Sequence, residues 1–280
     1  MSKIAVITDS TAYLPDSLLK SYAINVIPLL IIWDKETLRD GVDITPEQFY
    51  LRLEKSPTIP TTSQPSPADF KNLYDRVLEE GFEILAIVIS SKLSGTMESA
   101  IQAKAMLPGA PIEIFDSQST AMGMGFQVLA ACRAIQKGAT LKEALTVLEN
   151  ARQNSGVVFL VDTLKYLHLG GRIGGASRYL GNALNIKPIL NLSDGRIEPL
   201  ERVRTRAKAL ARIVDIVAER AGGRPIHIAA MHANAPEEGL ALMEEAQKRM
   251  NVVEAFNSEI SPVLGVHAGP RATGLTYLVE

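Results

Sequence analysis

The fold of this chain is decided by a turn between a strand-like and a helix-like segment, Ser90-Ser91-Lys92-Leu93-Ser94-Gly95-Thr96. The six residues before the turn, 84–89, are apolar and mostly β-branched, as in a strand that is covered on both faces. From Thr96 onward the apolar residues recur with the period of a helix. The sequence therefore predicts a strand, a tight turn rich in hydroxyl groups, and a helix that starts at the turn.

A helix that begins beside hydroxyl groups is suited to bind an anion. Its first backbone N–H groups have no acceptor within the helix, the helix dipole adds partial positive charge, and serine or threonine hydroxyls supply further donors. The turn thus indicates a cradle for an oxyanion or a carboxylate. The alternative is that Ser94 is only the N-cap of the helix, and the residues leave both interpretations open.

Length and composition describe an ordinary globular protein. At 280 residues the chain is longer than a typical single domain, so we expect two domains. Hydrophobic residues make up 46% and charged residues 21% of the chain, and the formal net charge of −2 argues against a nucleic-acid partner. Every apolar run is shorter than the roughly 18 residues of a membrane-spanning helix, so we expect no integral membrane segment. Transient contact with a membrane surface is still compatible with the sequence.

The cysteine and histidine content gives no indication of a metal site. Cys132 is the single cysteine, which excludes a disulfide within the chain and fits a reducing cytoplasm. It lies in a helix-like run and is interpreted as a small core residue. The four histidines form no HxH or HxxxH pair.

Residues 3–8 are interpreted as a first strand, because their apolar run is too short for a signal peptide.

Short apolar runs alternate with amphipathic segments along the chain, which is typical of an α/β fold. We predict an N-terminal three-layer α/β/α domain with a parallel sheet in residues 1–155. A C-terminal α/β domain with a mixed sheet is predicted in residues 156–280. Among the individual elements, residues 25–33 are predicted to be one strand and residues 60–67, with three prolines, a loop.

Helix starts and turns are also marked in the sequence. Thr45, Ser66 and Thr140 are the predicted caps of three helices. The Asp194-Gly195 pair between two apolar runs predicts a β-hairpin.

Hydroxyl and acidic residues follow three of the predicted parallel strands. They lie at residues 8–11, 90–96 and 116–120. Because ligands of open parallel sheets bind beyond the carboxyl ends of the strands, this recurrence predicts a ligand site at that edge.

Two further motifs have both a functional and a structural interpretation. The four glycines of residues 170–175 could form an anion nest, on which a nucleotide-binding regulator would rest, yet the Lys-Ser or Lys-Thr of a Walker loop is missing. The favoured interpretation is that these glycines end one helix and start the next. Arg202, Arg204 and Arg206 would share one face if the strand continued through them, where they would steer an acidic partner or form a solvated edge.

The chain resembles, almost from end to end, the DegV family of bacterial fatty-acid-binding proteins. The motifs that carry this resemblance occur in the family's order. They are Thr8-Asp9-Ser10, Thr61-Thr62-Ser63-Gln64-Pro65-Ser66, the turn 90–96, Asp116-Ser117, residues 167–173 with their Gly-Gly-Arg, Lys187-Pro188-Ile189, residues 202–206 and Gly265-Val266-His267-Ala268-Gly269-Pro270. One position departs from the pattern: Arg271 stands where the family commonly has glycine, which either alters the backbone beside His267 or adds a cation near the ligand.

The resemblance implies that a long-chain, palmitate-like fatty acid is buried in a tunnel with its carboxylate near the domain junction. By position, Thr62 and Ser94 would hydrogen-bond the carboxylate, and the Gly95 N–H and His267 would be further contacts. Glycine-rich backbone on both sides of His267 would allow a ligand to approach closely. No cofactor is implied.

The resemblance also implies a partner. The protein would not be an enzyme itself but would present its fatty acid to a fatty acid kinase, which converts the carboxylate to an acyl phosphate for lipid metabolism. Arg172 and Arg204 are the candidate docking residues for this kinase.

A serine hydrolase is the alternative from another functional class, with Ser94 as nucleophile and His267 as base. A serine between a strand and a helix is typical of such a nucleophile. The Gly-x-Ser-x-Gly frame is absent around Ser94, however, and no residue stands out as the third member of a triad.

Overall fold

Thirteen strands and ten α-helices occur in the part of the chain that the computed structural model describes, residues 3–280 with the side chains of 181–185 excepted. The strands are β1 (Lys3–Asp9), β2 (Asn25–Ile27), β3 (Leu30–Trp33), β4 (Glu36–Arg39), β5 (Thr61–Ser63), β6 (Phe82–Val88), β7 (Ile112–Asp116), β8 (Ser155–Leu160), β9 (Lys187–Ser193), β10 (Arg196–Val203), β11 (Ile226–His232), β12 (Val252–Glu259) and β13 (Thr273–Val279). The helices are α1 (Asp16–Ser21), α2 (Pro46–Lys55), α3 (Pro67–Glu79), α4 (Thr96–Ala105), α5 (Ala121–Gln136), α6 (Leu141–Asn154), α7 (Lys165–Leu169), α8 (Arg206–Ala221), α9 (Pro236–Arg249) and α10 (Pro262–Ala268), with 3₁₀ helices at Ser10–Ala12 and Gly174–Asn185.

The N-terminal half contains the predicted parallel sheet, with strand order β2-β1-β6-β7. Helices α3 and α4 pack on one face of this sheet and α5 packs on the other. In β6, Ile84 and Val88 pack in the core on the α3 side, while Leu85 and Ile87 pack in the core on the α5 side. The prediction of a strand covered on both faces, within three layers, is therefore confirmed.

Side chains cap the helices where the sequence predicted caps. Thr45, Ser66 and Thr140 each accept a hydrogen bond from the backbone N–H three residues later, and in each case the side chain at that third position bonds back to the cap. These reciprocal bonds satisfy N–H groups that the helix itself leaves unpaired. The starts of α2, α3 and α6 are thus fixed by local sequence.

The predicted single strand at residues 25–33 is wrong. Pro28 separates β2 from β3, since proline has no N–H to continue a ladder. Strand β3 instead belongs to a separate antiparallel sheet of order β4-β3-β5. The prediction of a loop at 60–67 is also partly wrong, because β5 occupies the short interval between its prolines and places Thr62 opposite Ile31 of β3.

The C-terminal half contains a mixed sheet of order β10-β9-β8-β13-β11-β12, as predicted. Only β11 and β12 pair in parallel. The predicted hairpin joins β9 to β10, and both turn residues have positive φ, 48° at Asp194 and 78° at Gly195, as a type I′ turn requires. Helices α8 and α9 cover one face of this sheet.

The other face of the mixed sheet is turned toward α5. This helix contacts β1 and β6 of the parallel sheet as well as β8 and β13 of the mixed sheet, and most of its residues are buried. The largest hydrophobic core accordingly combines residues from both sheets. Helix α5 therefore packs against both halves, and α10 also joins them through its contacts with α2, β3 and β5. Across residues 3–280, none of the helices combines the length and the apolar character needed to cross a membrane.

Candidate functional site

A cavity of about 930 Å³, part of which opens to solvent, lies between the parallel-sheet loops and the inner face of the mixed sheet. Most of its wall is apolar. The apolar wall comprises Leu29, Ile89, Leu93, Ala121, Val157, Phe159, Leu167, Leu192, Ile197, Met231, Ile260, Val263, Leu264, Ala268, Ala272 and Gly274.

One part of the wall is polar and includes three of the predicted carboxylate contacts. Thr62, Ser94 and His267 all line the cavity, and Arg172 lines it with them. Thr62 lies on β5 and His267 in the last turn of α10, and their Oγ1 and Nε2 atoms are 2.8 Å apart. Thr62 and His267, which are 205 positions apart in the chain, thus meet in one polar group. This group of Thr62, Ser94, Arg172 and His267 is called here the head-group site.

His267 is uncharged at neutral pH. Burial, and then the nearby Arg172 guanidinium, lower the pKa of His267 to about 4. Its Nδ1 is buried and has no hydrogen-bond partner among the described residues. It lies against Gly170, where a methyl group would be 2.1 Å from this nitrogen.

The surroundings of the ring indicate where its proton lies. A buried N–H without an acceptor is rarer in proteins than an acceptor without a donor. We therefore infer that Nδ1 is the bare nitrogen and that Nε2–H donates to Thr62 Oγ1. The Thr62 hydroxyl proton is then free to point into the cavity, so His267 orients Thr62 as a donor.

Ser94 does not occupy the N-cap position of α4, so that interpretation is wrong. The N-cap is Gly95, which has no side chain to donate or accept. Ser94 Oγ accepts from the Thr96 N–H at 3.3 Å and lies 2.8 Å from Thr96 Oγ1. When Thr96 Oγ1 donates in that second contact, the Ser94 hydroxyl proton is available to a ligand.

Gly95 allows the two hydroxyl-rich segments to meet. A methyl group on Gly95 would lie 3.0 Å from the side-chain nitrogen of Gln64, which itself lines the cavity. The absence of a side chain therefore lets the amide of Gln64 rest on the turn. Gln64 was not among the residues predicted from sequence, although it lies in the same motif as Thr62.

Arg172 belongs to the cavity wall, whereas its predicted role was in docking a partner. Its Nε donates to the Leu93 carbonyl at 2.9 Å and its Nη1 to the Gly170 carbonyl at 2.6 Å. These bonds tie the glycine segment to the turn that carries Ser94. The segment does end one helix, α7, and precede another at Gly174, which confirms the structural interpretation of its glycines.

Arg204 is exposed and does not line the cavity. Strand β10 ends at Val203, so the alternation of three arginines on one face does not continue to Arg206. Arg206 instead starts α8, where its guanidinium binds Glu238.

The acidic residues at the strand ends support loops and do not line the cavity. Asp9 accepts from the N–H of Ile89 and from the N–H and hydroxyl of Thr11, and burial raises its pKa. Asp116 accepts from the N–H and hydroxyl of Ser91. The cavity thus lies at the predicted edge of the parallel sheet, whereas the two carboxylates hold the turn 90–96 in position.

The glycines around His267 also serve packing. His267 lies in helix α10, where Gly265 contacts Tyr50 so closely that a methyl group would be 2.6 Å from the phenol oxygen. Gly269, at φ 75°, leaves similarly little room beside Tyr166. Close approach near His267 is thus made by aromatic side chains of the protein.

Arg271 has a left-handed backbone conformation, which is a conformation that favours glycine. Its φ is 61°, and its guanidinium bonds Glu238 at 2.9 Å. The side chain is not part of the cavity wall, so the expectation of an added cation near the ligand is wrong.

The geometry does not assemble the triad of a serine hydrolase. His267 bonds Thr62 and not Ser94, and within residues 3–280 no carboxylate bonds its other ring nitrogen. The same described residues contain no group of three His, Cys, Asp or Glu side chains placed to hold a metal ion.

Comparison with known proteins gives one consistent family. A family model described as "Uncharacterised protein, DegV family" matches residues 3–280. A DegV domain-containing protein of Streptomyces coelicolor is 39% identical over 274 residues, which cover 97% of each chain.

Solved structures with the same fold have been described with fatty acids. A DegV family protein of Thermus thermophilus, whose structure is described as fatty acid binding, superposes with a TM-score of 0.95 at 36% identity and covers 99% of this chain and 100% of its own. A stearic acid-binding protein of Eubacterium ventriosum superposes with a TM-score of 0.91 at 27% identity, covering 100% of this chain and 98% of its own.

Proposed function

The chain belongs to the DegV family, and from this premise we propose that it binds one long-chain fatty acid, with the acyl chain in the apolar part of the cavity and the carboxylate at the head-group site. The observation that carries the proposal is the cavity itself: an apolar wall that ends at Thr62, Ser94 and His267. The two structural relatives described above as binding fatty acid support it.

The apolar wall accounts for most of the affinity. Five neighbouring strands, β10, β9, β8, β13 and β11, each contribute a side chain or glycine to it. At about 4.8 Å between strands, the wall spans about 19 Å. An extended chain rises about 1.25 Å per carbon, from a bond of ~1.5 Å and an angle of ~111°, so about 16 carbons match this span. Burying 15 methylenes contributes about 12 kcal/mol before ordering costs.

The head-group site holds the carboxylate by directed donors. Thr62 and Ser94 donate their hydroxyl protons, and Gly95 offers a backbone N–H at the start of α4. His267 acts through Thr62, which it orients. Arg172 adds positive charge to the same wall, where it lowers the cost of desolvating the carboxylate.

We further propose that the bound acid is presented to a fatty acid kinase in the cytoplasm. Of the two candidate docking residues, we assign Arg172 to the fatty acid site and keep Arg204, which is exposed, for the kinase. The Arg204→Glu variant is expected to bind fatty acid normally while its conversion to acyl phosphate by the kinase falls. Normal conversion by this variant would exclude Arg204 from docking.

Extraction of the purified, denatured protein with organic solvent tests the binding proposal. Mass spectrometry of the extract is expected to find a long-chain fatty acid in about equimolar amount. The double variant Thr62→Ala with Ser94→Ala is expected to lose most of this ligand, because each hydrogen bond to a charged group contributes about 1.5–3 kcal/mol. Thr61→Ala, a neighbouring change outside the cavity wall, serves as the control. Unchanged occupancy in a correctly folded double variant would refute the head-group site.

A further inference from the structure

Thr120 is a polar residue of the cavity wall that does not belong to the head-group site. It lines the cavity, and its Oγ1 is buried without any hydrogen-bond partner in the described structure. The head-group residues make their own contacts: Thr62 with His267, and Ser94 with Thr96. Thr120 bonds none of them.

The position of Thr120 in the chain does not explain its unpaired hydroxyl. It directly precedes α5, where a threonine ordinarily caps the helix, yet its side chain caps no N–H. Thr120 is extended, with φ −157° and ψ 177°, and the next residue, Ala121, has a φ of 52°. This backbone differs from that of the capped helices α2, α3 and α6, so the hydroxyl is left for another partner.

The surroundings of Thr120 combine apolar wall residues with one neighbouring hydroxyl group. Ala121 follows it in the cavity wall, and a methyl group on Gly123, in the first turn of α5, would lie 2.7 Å from a Val157 methyl carbon and 2.7 Å from Ser119 Oγ. Ser119 Oγ does not bond the Thr120 hydroxyl. An acyl chain without a polar substituent would leave the Thr120 hydroxyl without a partner in this space, and an unpaired buried hydroxyl is destabilising. An oxygen on the ligand removes that cost.

We propose that Thr120 forms a second polar subsite and that the protein accepts fatty acids whose acyl chain carries a hydroxyl group. The inference rests on the proposed fatty acid binding and specifies its substrate class. The Thr120 hydroxyl donates to, or accepts from, the hydroxyl of the chain at the one position along it that lies beside α5. Most of the remaining cavity wall is apolar, so a hydroxyl group at most other positions of the chain gains no partner.

A double-mutant cycle between protein and ligand tests this subsite. Stearate and a positional series of hydroxystearates are measured by displacement of a fluorescent fatty acid from the wild type and from Thr120→Val, which preserves the shape of the side chain. For one hydroxyl position, the variant is expected to bind about five- to tenfold more weakly than the wild type, the range of one buried hydrogen bond. Stearate is expected to bind the variant equally or more tightly.

The controls separate this inference from the proposed function. Thr120→Ser is expected to keep the preference, and Thr146→Val, an exposed change on α6, to behave as the wild type. If stearate binds both proteins alike and no hydroxystearate distinguishes them, the subsite is refuted while fatty acid binding stands. Weaker stearate binding by Thr120→Val would instead assign Thr120 to the carboxylate and also refute the subsite. Absence of stearate binding by the wild type would refute the proposed function itself.

Discussion

The two ends of the cavity are built in different ways. The head-group site gathers Thr62, Ser94, Arg172 and His267 from a short strand, a turn, a glycine segment and a helix end. The acyl wall has sixteen residues, of which six lie on strands of the mixed sheet and ten lie on helices α5, α7 and α10 and on loops. A few directed donors fix the position of a ligand, whereas many apolar contacts supply free energy in proportion to buried area. The difference predicts that orientation is decided at one end and affinity at the other.

Shortening the ligand gives the largest expected effect on this comparison. Octanoate has eight methylenes fewer than palmitate, and at about 0.8 kcal/mol each it should bind more weakly by about 6 kcal/mol, or about 10⁴-fold. The carboxylate contacts are the same for both acids. Competition titrations with saturated acids of increasing length measure this slope.

The same titrations locate the end of the wall. The gain per methylene should stop near the length that fills the cavity, which the strand span places at about 16 carbons. If affinity is nearly independent of length below that point, the head-group site, and not the wall, dominates binding.

The pH dependence of stability tests the support of the head-group site. Helix α10 has a buried titrating group near each end: Asp40, which accepts from the Val263 N–H at 3.3 Å, and His267 in the last turn. Burial, as the largest cause, raises the pKa of Asp40 to about 6. The pKa of His267 is lowered to about 4.

The two groups act in opposite directions between pH 4 and 6.5. The pKa of His267 is 6.5 in the unfolded chain, so His267 stabilises the fold above pH 6.5, and that stabilisation is lost as the pH falls toward 4. The pKa of Asp40 is 3.8 in the unfolded chain, so Asp40 stabilises the fold below pH 3.8, and that stabilisation is lost as the pH rises through 6. Each contribution is about 3 kcal/mol, so in the wild type they largely offset each other.

Single variants should expose each contribution. Relative to the wild type, Asp40→Asn should lose stability as the pH falls from 6.5 to 4, and His267→Gln should gain stability over the same interval. Urea unfolding at several pH values measures both slopes, with exposed His168→Gln as the control. Parallel profiles for Asp40→Asn and the wild type would show that Asp40 does not titrate in this range.

Local signals in the sequence predicted much of the fold. Each helix cap and the hairpin turn depend only on residues a few positions apart, so the local sequence is sufficient to predict them. These features are the caps at Thr45, Ser66 and Thr140 and the Asp194-Gly195 turn. Residues 25–33 failed as one strand because apolar composition outweighed a single proline. Which sheet each half of that run joins is decided by distant partners.

The head-group site was predictable only in part. The hydroxyls of Thr62 and Ser94 stand in recognisable motifs, and both line the cavity. The position of Arg172 was not predictable, because it donates to the backbone carbonyls of Leu93 and Gly170. Every residue has such a carbonyl, so the sequence does not show which ones accept. Thr120 had the same limitation, since its unpaired hydroxyl is visible only once its neighbours are placed.

Neutralising Arg172 should produce a smaller change, confined to the polar end. Arg172→Gln is expected to raise the pKa of His267, because the nearby positive charge is one cause of its low value. The pKa should stay below 6.5, since burial, the larger cause, remains. Titration of the ring by NMR measures this shift. Fatty acid affinity should fall about tenfold or less, as expected for a half-exposed charge.

Arg204→Gln is the matched control for that variant, because it removes the same charge from an exposed position outside the cavity. It should change neither the His267 titration nor the affinity. An unchanged His267 titration in Arg172→Gln would show that burial alone sets the pKa of His267.

Replacing Arg271 by glycine should have the smallest effect, because it lies outside both ends of the cavity. Arg271→Gly relieves a side chain at φ 61°, a conformation that costs about 1–2 kcal/mol for residues other than glycine, but it removes the bond to Glu238. An ion pair with one half-exposed partner contributes about 0–1 kcal/mol. The free energy of unfolding should therefore change by less than about 2 kcal/mol, toward greater stability, and palmitate affinity should not change. A loss of palmitate affinity in this variant would show that a change in the turn after α10 moves His267. The head-group site would then depend on residues outside the cavity wall.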